Sequence, residues 1–91
     1  MRKFVAERDL PGAGELSLAQ LRSVARQSSE ILKKLGPQIQ WVESFVTQNR
    51  IYSIFIAEDE RLIRDHAEQG GYPLSRIAEV FETIDPTHAE K

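Results

Sequence analysis

The sequence predicts an α+β fold in which the elements follow the order β-α-β-β-α-β. Segments near both ends alternate apolar and polar residues as strands do, two segments have helical apolar spacing with caps, and a β-rich stretch between them contains one turn. Two right-handed crossovers joined by a hairpin produce a four-stranded antiparallel sheet of order 4-1-3-2, with both helices on one face. This is the ferredoxin-like fold, and residues 1–91 are expected to form one such domain.

The first half of the chain supplies one strand and one helix. The strand is predicted over residues 1–10, where Phe4, Ala6 and Leu10 lie on one side and Val5 lies with charged side chains on the other. After a loop over residues 11–14, Ser17 and Gln20 have the spacing of a capping box and mark the start of the helix, which should end at Gly36. The helix face expected to meet the sheet consists of Leu18, Leu21, Val24, Ala25, Ser28, Ile31, Leu32 and Leu35.

The second half supplies a hairpin, a short helix and a last strand. Residues 39–57 are rich in β-branched and aromatic side chains and break at Gln48-Asn49, which predicts a two-residue turn with Asn49 at positive φ. Asp59 should cap a helix that ends at Gly70-Gly71 and is followed by Pro73. The last strand is predicted over residues 76–85, and residues 86–91 form a polar tail with little reason to be ordered.

The third strand indicates that both faces of the sheet are covered. Its residues 51–56 read IYSIFI, a nearly continuous apolar run where a half-solvated strand would alternate. Since two helices cover one face only, a second copy of the chain is the simplest cover for the other, and we expect a homodimer. A regular hairpin register places Trp41, Glu43, Phe45 and Tyr52 on the helix-free face, and Val42, Val46, Ile51 and Phe55 under the helices.

Composition excludes several classes of function. The formal net charge of -2 argues against a nucleic-acid partner, and no apolar run approaches the ~20 residues that span a membrane. The N-terminus lacks the pattern of a signal peptide, so a cytoplasmic location is expected. With 0 Cys there are no disulfides, thiolate metal sites or thiol chemistry. Gly12-Ala13-Gly14 lacks the third glycine of a dinucleotide fingerprint and the lysine of a P-loop, so we expect a turn and not a phosphate-binding loop.

Three residues are candidate metal ligands: His66, Glu43 and Glu7. Imidazole is a common metal ligand, and octahedral divalent ions such as Ni²⁺ accept nitrogen and oxygen donors together. Each residue also has a purely structural interpretation. His66 would then be half-buried between helix and sheet, and the carboxylates would be rim charges or partners of Arg8 and Arg50. His88, three residues after Asp85, is expected to be a solvated tail residue.

A second hypothesis is a binding protein or enzyme of the dimeric α+β barrel type. Two sheets would enclose a pocket for a small apolar ligand, lined by Trp41, Phe45 and Tyr52, and His66 or Glu43 would handle protons. A third is a structural dimer in which all these residues only pack. The sequence leaves open whether the protein is an enzyme.

Several segments of the chain resemble a family of small bacterial proteins. They are residues 7–14, 40–47, 51–52, 56–57, 63–67, 70–71 and 76–77, and the resemblance extends roughly over residues 2–86. The family is a domain family of formally unknown function, and its best-known relatives are described as nickel-binding proteins. The resemblance implies a ferredoxin-like subunit, a homodimer and nickel binding. His66, Glu7, Trp41, Glu43 and Tyr52 fall within the matching motifs.

Overall fold

The fold of the chain follows the predicted order of elements. A computed structural model describes residues 1–72 and 74–90. Its elements are β1 (Arg2–Asp9), α1 (Leu18–Leu35), β2 (Ile39–Val46), β3 (Arg50–Ala57), α2 (Glu60–Gly70) and β4 (Arg76–Val80), with 3₁₀ turns at Ala13–Glu15 and Pro86–Glu90. The strands form one antiparallel sheet in the order β2-β3-β1-β4, which confirms the ferredoxin-like topology. Neither described helix has the length and apolar character needed to cross a bilayer.

Local signals fix both helix starts where the sequence predicted them. The Ser17 hydroxyl accepts from the Gln20 backbone N–H at 3.1 Å, and the Gln20 side chain accepts from the Ser17 N–H at 2.8 Å. This reciprocal pair satisfies two N–H groups that the first turn leaves free. At the start of α2, Asp59 satisfies one such group by accepting from the Arg61 N–H at 2.8 Å. The predicted Pro73 that follows α2 lies outside the described residues.

The core lies between the sheet and α2 and not beneath the whole of α1. Its buried members are Phe4, Ala6, Ile39, Phe55, Ala57 and Ile63. Full burial of a large apolar side chain contributes about 1.5–3 kcal/mol, and Phe4, Phe55 and Ile63 are the largest fully buried apolar side chains of this cluster. In α1 only Ile31 is buried. Leu18 was predicted to face the sheet but is 62% exposed, because helical side chains tilt toward the N-terminus and a first-turn residue therefore points past the helix end.

A β-bulge in β2 corrects the predicted register of the hairpin. Phe45 pairs with Tyr52 and Glu43 with Ile54 as predicted, but Trp41 pairs with Phe55 and not with Ile56. Val42 is the extra residue, and the partner strand has no counterpart for it. One inserted residue reverses the side-chain alternation on its N-terminal side. Trp41 therefore lies on the helix side of the sheet, and its predicted place on the helix-free face was wrong.

The hairpin turn docks against the loop after β1 and not into solvent. Asn49 accepts from the Leu10 N–H through its backbone carbonyl at 2.9 Å and from the Gly12 N–H through Oδ1 at 3.1 Å. A Cβ on Gly14 would lie 2.9 Å from the Gln48 Cα, so this approach requires glycine. The predicted positive φ of Asn49 was wrong, since every described residue with positive φ is a glycine. The docking contacts hold the turn instead.

The last strand is shorter than predicted. Residues 76–85 were expected to be extended, but β4 ends at Val80, which pairs with Lys3 near the start of β1. Beyond that point β1 offers no further backbone partners. Residues 81–85 therefore do not extend the strand as predicted. Phe81 and Ile84 are 87% and 79% exposed. In the predicted polar tail, residues 86–90 form a 3₁₀ turn and all of them are exposed.

Candidate functional site

A cavity of about 240 Å³ separates α1 from the sheet. Side chains of α1 form one wall, β2 and β3 form the opposite wall, and α2 with the segment after it closes one end. The lining residues are Arg8, Leu21, Val24, Ala25, Gln27, Ser28, Ile31, Trp41, Ser44, Val46, Ile51, Ser53, Phe55, His66, Gly70 and Tyr72. The walls are mainly apolar with a few polar groups, as in small-molecule sites. None of the lining residues in the described part of the chain is a carboxylate.

His66 sits at the closed end of the cavity and is only 2% exposed. Its ring meets Phe55 edge-on, with centroids 5.4 Å apart. Nε2 lies 2.8 Å from the Ser28 hydroxyl and Nδ1 lies 2.8 Å from the Tyr72 hydroxyl. Both ring nitrogens are therefore occupied by hydrogen bonds within the chain.

Burial fixes the protonation of this hydrogen-bonded group. Desolvation lowers the pKa of His66, offset in part by a hydrogen bond to the Ser28 backbone, so the imidazole is neutral at pH 7. Desolvation also raises the pKa of Tyr72, which stays a phenol. We assign the phenol proton to the bond with Nδ1, which leaves Nε2–H to donate to Ser28. The Ser28 hydroxyl keeps its own proton for another acceptor.

Among residues 1–72 and 74–90, Arg8 is the one cation that lines the cavity. Its guanidinium carbon lies 4.2 Å from the centroid of the Tyr72 ring, a cation-π contact. None of the described carboxylates lies within ion-pair distance of Arg8. His66 thus orients Tyr72, and the ring of Tyr72 supports a guanidinium whose charge no carboxylate of the described chain neutralises.

The strand wall of the cavity carries a second polar chain. Trp41 Nε1–H donates to the Ser44 hydroxyl at 2.9 Å, and this hydroxyl lies 2.6 Å from that of Ser53. The β-bulge makes the chain possible, because it turns Trp41 to the helix side of the sheet, where Ser44 already lies. The indole is thereby held against the cavity with its one polar atom satisfied.

The remaining predicted site residues lie on the other side of the sheet. Glu7, Glu43, Phe45 and Tyr52 share the helix-free face; Glu7 is opposite Tyr52, and Tyr52 is opposite Phe45. Glu7 is 3.4 Å from Arg50 and forms an ion pair with it. This is the structural interpretation of Glu7 that the sequence offered beside the metal ligand. The structure brings Phe45 and Tyr52 together but separates them from Trp41 by the thickness of the sheet.

The three predicted metal ligands do not meet within one chain. Glu7 and Glu43 lie on strands two positions apart in the sheet, about 10 Å across, and His66 is beneath the opposite face. Among residues 1–72 and 74–90 no three His, Cys, Asp or Glu side chains are grouped as metal ligands. His66 in particular does not fit a metal ion, because binding would break one of its two hydrogen bonds in a buried place.

Sequence reasoning singled out His66 but missed its partners. Ser28 interrupts an otherwise apolar helix stripe, and Arg8 follows Phe4 and Ala6 on the buried side of β1. A polar residue at an apolar position was the available signal in both cases. Tyr72 carried no such signal, since it lies between elements. No sequence pattern marked the cavity itself.

Comparisons with known proteins bear on the family and the fold. A family model described as "Nickel responsive protein SCO4226-like" matches residues 4–80. The crystal structure of SCO4226 from Streptomyces coelicolor A3(2) is similar to this chain with a TM-score of 0.72 and 17% sequence identity, covering 90% of this chain and 99% of that one. No curated protein matches. Because the family model covers most of the sequence, the chain belongs to the SCO4226-like family of nickel-responsive proteins.

Proposed function

We propose that the chain acts as a homodimeric nickel-responsive protein whose two copies pack through the helix-free face of the sheet. The observation that carries this proposal is the apolar character of that face. Val5, Tyr52, Ile54 and Ile56 lie on it, and both helices of the chain pack on the other side. Such a face in water favours a partner.

The area of the face supports a partner of the same kind. Four strands about 4.8 Å apart, most of them eight residues long at about 3.3 Å each, span roughly 500 Å². Two copies would bury about 1,000 Å², where specific interfaces begin. The face also carries Glu7 and Glu43 along with Lys3 and Arg76. A surface with both signs of charge can be complementary to itself, as a two-fold interface requires.

Nickel ligation is proposed at donors of this face and not at His66. Glu43 is exposed and forms no ion pair with the described residues, whereas Glu7 is paired with Arg50. Within the described part of one chain, Glu43 is about 10 Å from Glu7 and has no second carboxylate beside it. A dimer brings a second Glu43 to the same interface, and the two carboxylates then supply oxygen donors for the ion. Both carboxylates lie within the residues that match the nickel-responsive family.

Calorimetric titration with Ni²⁺ tests this proposal. Glu43→Gln should abolish the binding heat, whereas His66→Gln should retain it in any variant that unfolds cooperatively. His88→Ala serves as the matched test of the other imidazole, which is exposed and 3.3 Å from Asp85. Heat that persists in Glu43→Gln and disappears in His88→Ala would place the site in the C-terminal turn and contradict the proposal.

A further inference from the structure

We propose that the cavity between α1 and the sheet binds a small apolar carboxylate, with Arg8 as the anchor for its charge. The proposal concerns the helix side of the sheet and is independent of nickel and of the dimer. It depends on the size of the cavity, the chemistry of its walls and the placement of one guanidinium.

The volume is that of an organic ligand and not of ordered water alone. A buried cavity of about 150 Å³ already binds benzene, and this one is about 240 Å³. It therefore suits a ring with a short side chain, roughly ten to fourteen non-hydrogen atoms. Leu21, Val24 and Ala25 line it on α1 but are only half-buried, so solvent and ligands reach the space along that helix.

The walls favour an apolar body for the ligand. Ile51 and Phe55 from β3 face Val24 and Ile31 from α1 across the cavity. The helix is amphipathic, yet its sheet-facing residues bury only Ile31 fully. A ligand in this space would supply the contacts that helix and strands do not make with each other, since unfilled apolar space forfeits dispersion contacts on both sides.

The polar groups select an anion. The described residues of the lining include one cation, several hydroxyl groups and a neutral imidazole, but no carboxylate. Arg8 is held over the Tyr72 ring and forms no ion pair with the described residues. A planar guanidinium matches the two oxygens of a carboxylate. A phosphate dianion would need more cationic groups than this cavity offers, so a monoanion is the better fit.

Arg8 is held in place by the ring of Tyr72, which is itself fixed by a hydrogen bond to His66. His66 Nδ1 accepts from the Tyr72 hydroxyl, and the ring of Tyr72 supports the guanidinium. Ser28, which accepts from His66 Nε2–H, has a hydroxyl proton to donate into the cavity. His66 is thus a positioning residue for two groups that would contact the ligand.

The fluorescence of Trp41 reports on occupancy, because it is the one tryptophan of the chain and lines the cavity. We would titrate the full chain with 3-phenylpropanoate, its neutral amide and its amine, and measure both fluorescence and heat. The carboxylate should bind about tenfold or more tightly than the amide, and the amine should not bind. Arg8→Gln should remove the preference for the carboxylate and leave amide binding unchanged. Arg22→Gln, an exposed arginine of α1 outside the cavity, is the matched control and should change nothing.

Filling the space separates a cavity ligand from a surface ligand. Ala25→Phe should abolish binding of carboxylate and amide alike while the protein still unfolds cooperatively. If this variant does not fold, Arg8→Gln and the amide comparison decide the question alone. Equal affinity for carboxylate and amide, or the absence of any fluorescence change or heat with all three probes at millimolar concentration, would overturn the proposal.

Discussion

His66 Nδ1 lies 2.8 Å from the hydroxyl of Tyr72, and this bond joins the buried face of α2 to the segment that follows the helix. On the far side of the ring, Nε2 lies 2.8 Å from Ser28 of α1. One neutral imidazole therefore ties both helices and the loop together at the end of the cavity. Its role in the described chain is to hold other groups in position.

The Ser28 hydroxyl should contribute measurably to stability. Ser28→Ala removes the side-chain acceptor of Nε2–H but keeps the backbone of Ser28 as a partner, so the loss should be that of one hydrogen bond, about 0.5–1.5 kcal/mol. Urea unfolding measures the loss. Ser29→Ala is the matched control, because Ser29 is the exposed neighbour in the same helix and its substitution should stay within about 0.5 kcal/mol. Equal effects of the two substitutions would contradict the assigned hydrogen bond.

His66 should make the protein less stable in mild acid. Burial lowers its pKa in the folded chain below the ordinary 6.5, so the unfolded chain takes up a proton that the folded chain does not. The free energy of unfolding should therefore fall as the pH drops from 6.5 toward the folded pKa, by up to about 1.4 kcal/mol per pH unit. Above pH 6.5 the residue should have no such effect.

Urea titrations at several pH values separate this contribution from that of the other histidine. His66→Gln should lose the dependence, and His88→Gln, at an exposed site beside Asp85, should retain it. If His66→Gln keeps the full pH dependence, burial of the neutral imidazole is not its cause.

The bulge at Val42 predicts which deletions the hairpin tolerates. Removing Val42 lets Trp41 and Glu43 pair with Phe55 and Ile54 in a regular ladder, with each side chain on its present face. We expect a folded protein, destabilised by about 1 kcal/mol, whose Trp41 emission maximum is unchanged. Removing Ser44 also closes the bulge and keeps Trp41 opposite Phe55, but it moves Glu43 to the helix side in the place of Ser44. A carboxylate there faces the mainly apolar cavity, so this deletion should destabilise the protein clearly more than removal of Val42, and equal losses in urea unfolding would contradict the register.

The elements were predictable because their signals are local. The Ser17–Gln20 capping box and the Asp59 cap depend on residues within one turn of each other. The end of β4 was not predictable from residues 76–85, because it is set by where β1 runs out of partners. The bulge escaped prediction for a similar reason: Trp41 and Val42 suit either face, and only the long-range packing of the indole decides.

The site was less predictable than the fold. An apolar helix stripe has the same spacing whether it packs on the sheet or stands away from it, so the cavity beneath Val24 and Ala25 leaves no mark in the sequence. His66 was recognisable as a candidate, but its neighbours come from positions 38 residues before it and six after it. Only the packing of α1 on α2 brings Ser28 next to His66.

The oligomeric state tests the central claim most directly. Light scattering on the nickel-free protein at micromolar concentration should give twice the chain mass of 10.4 kDa. Ile54→Lys places a charge on the helix-free face and should give a folded monomer, because an unpaired ammonium opposes burial at an apolar interface. Gln38→Lys, an exposed position outside the strands, should remain dimeric. A wild-type chain that is monomeric across the concentration range, or a dimer that Ile54→Lys leaves intact, would contradict the account.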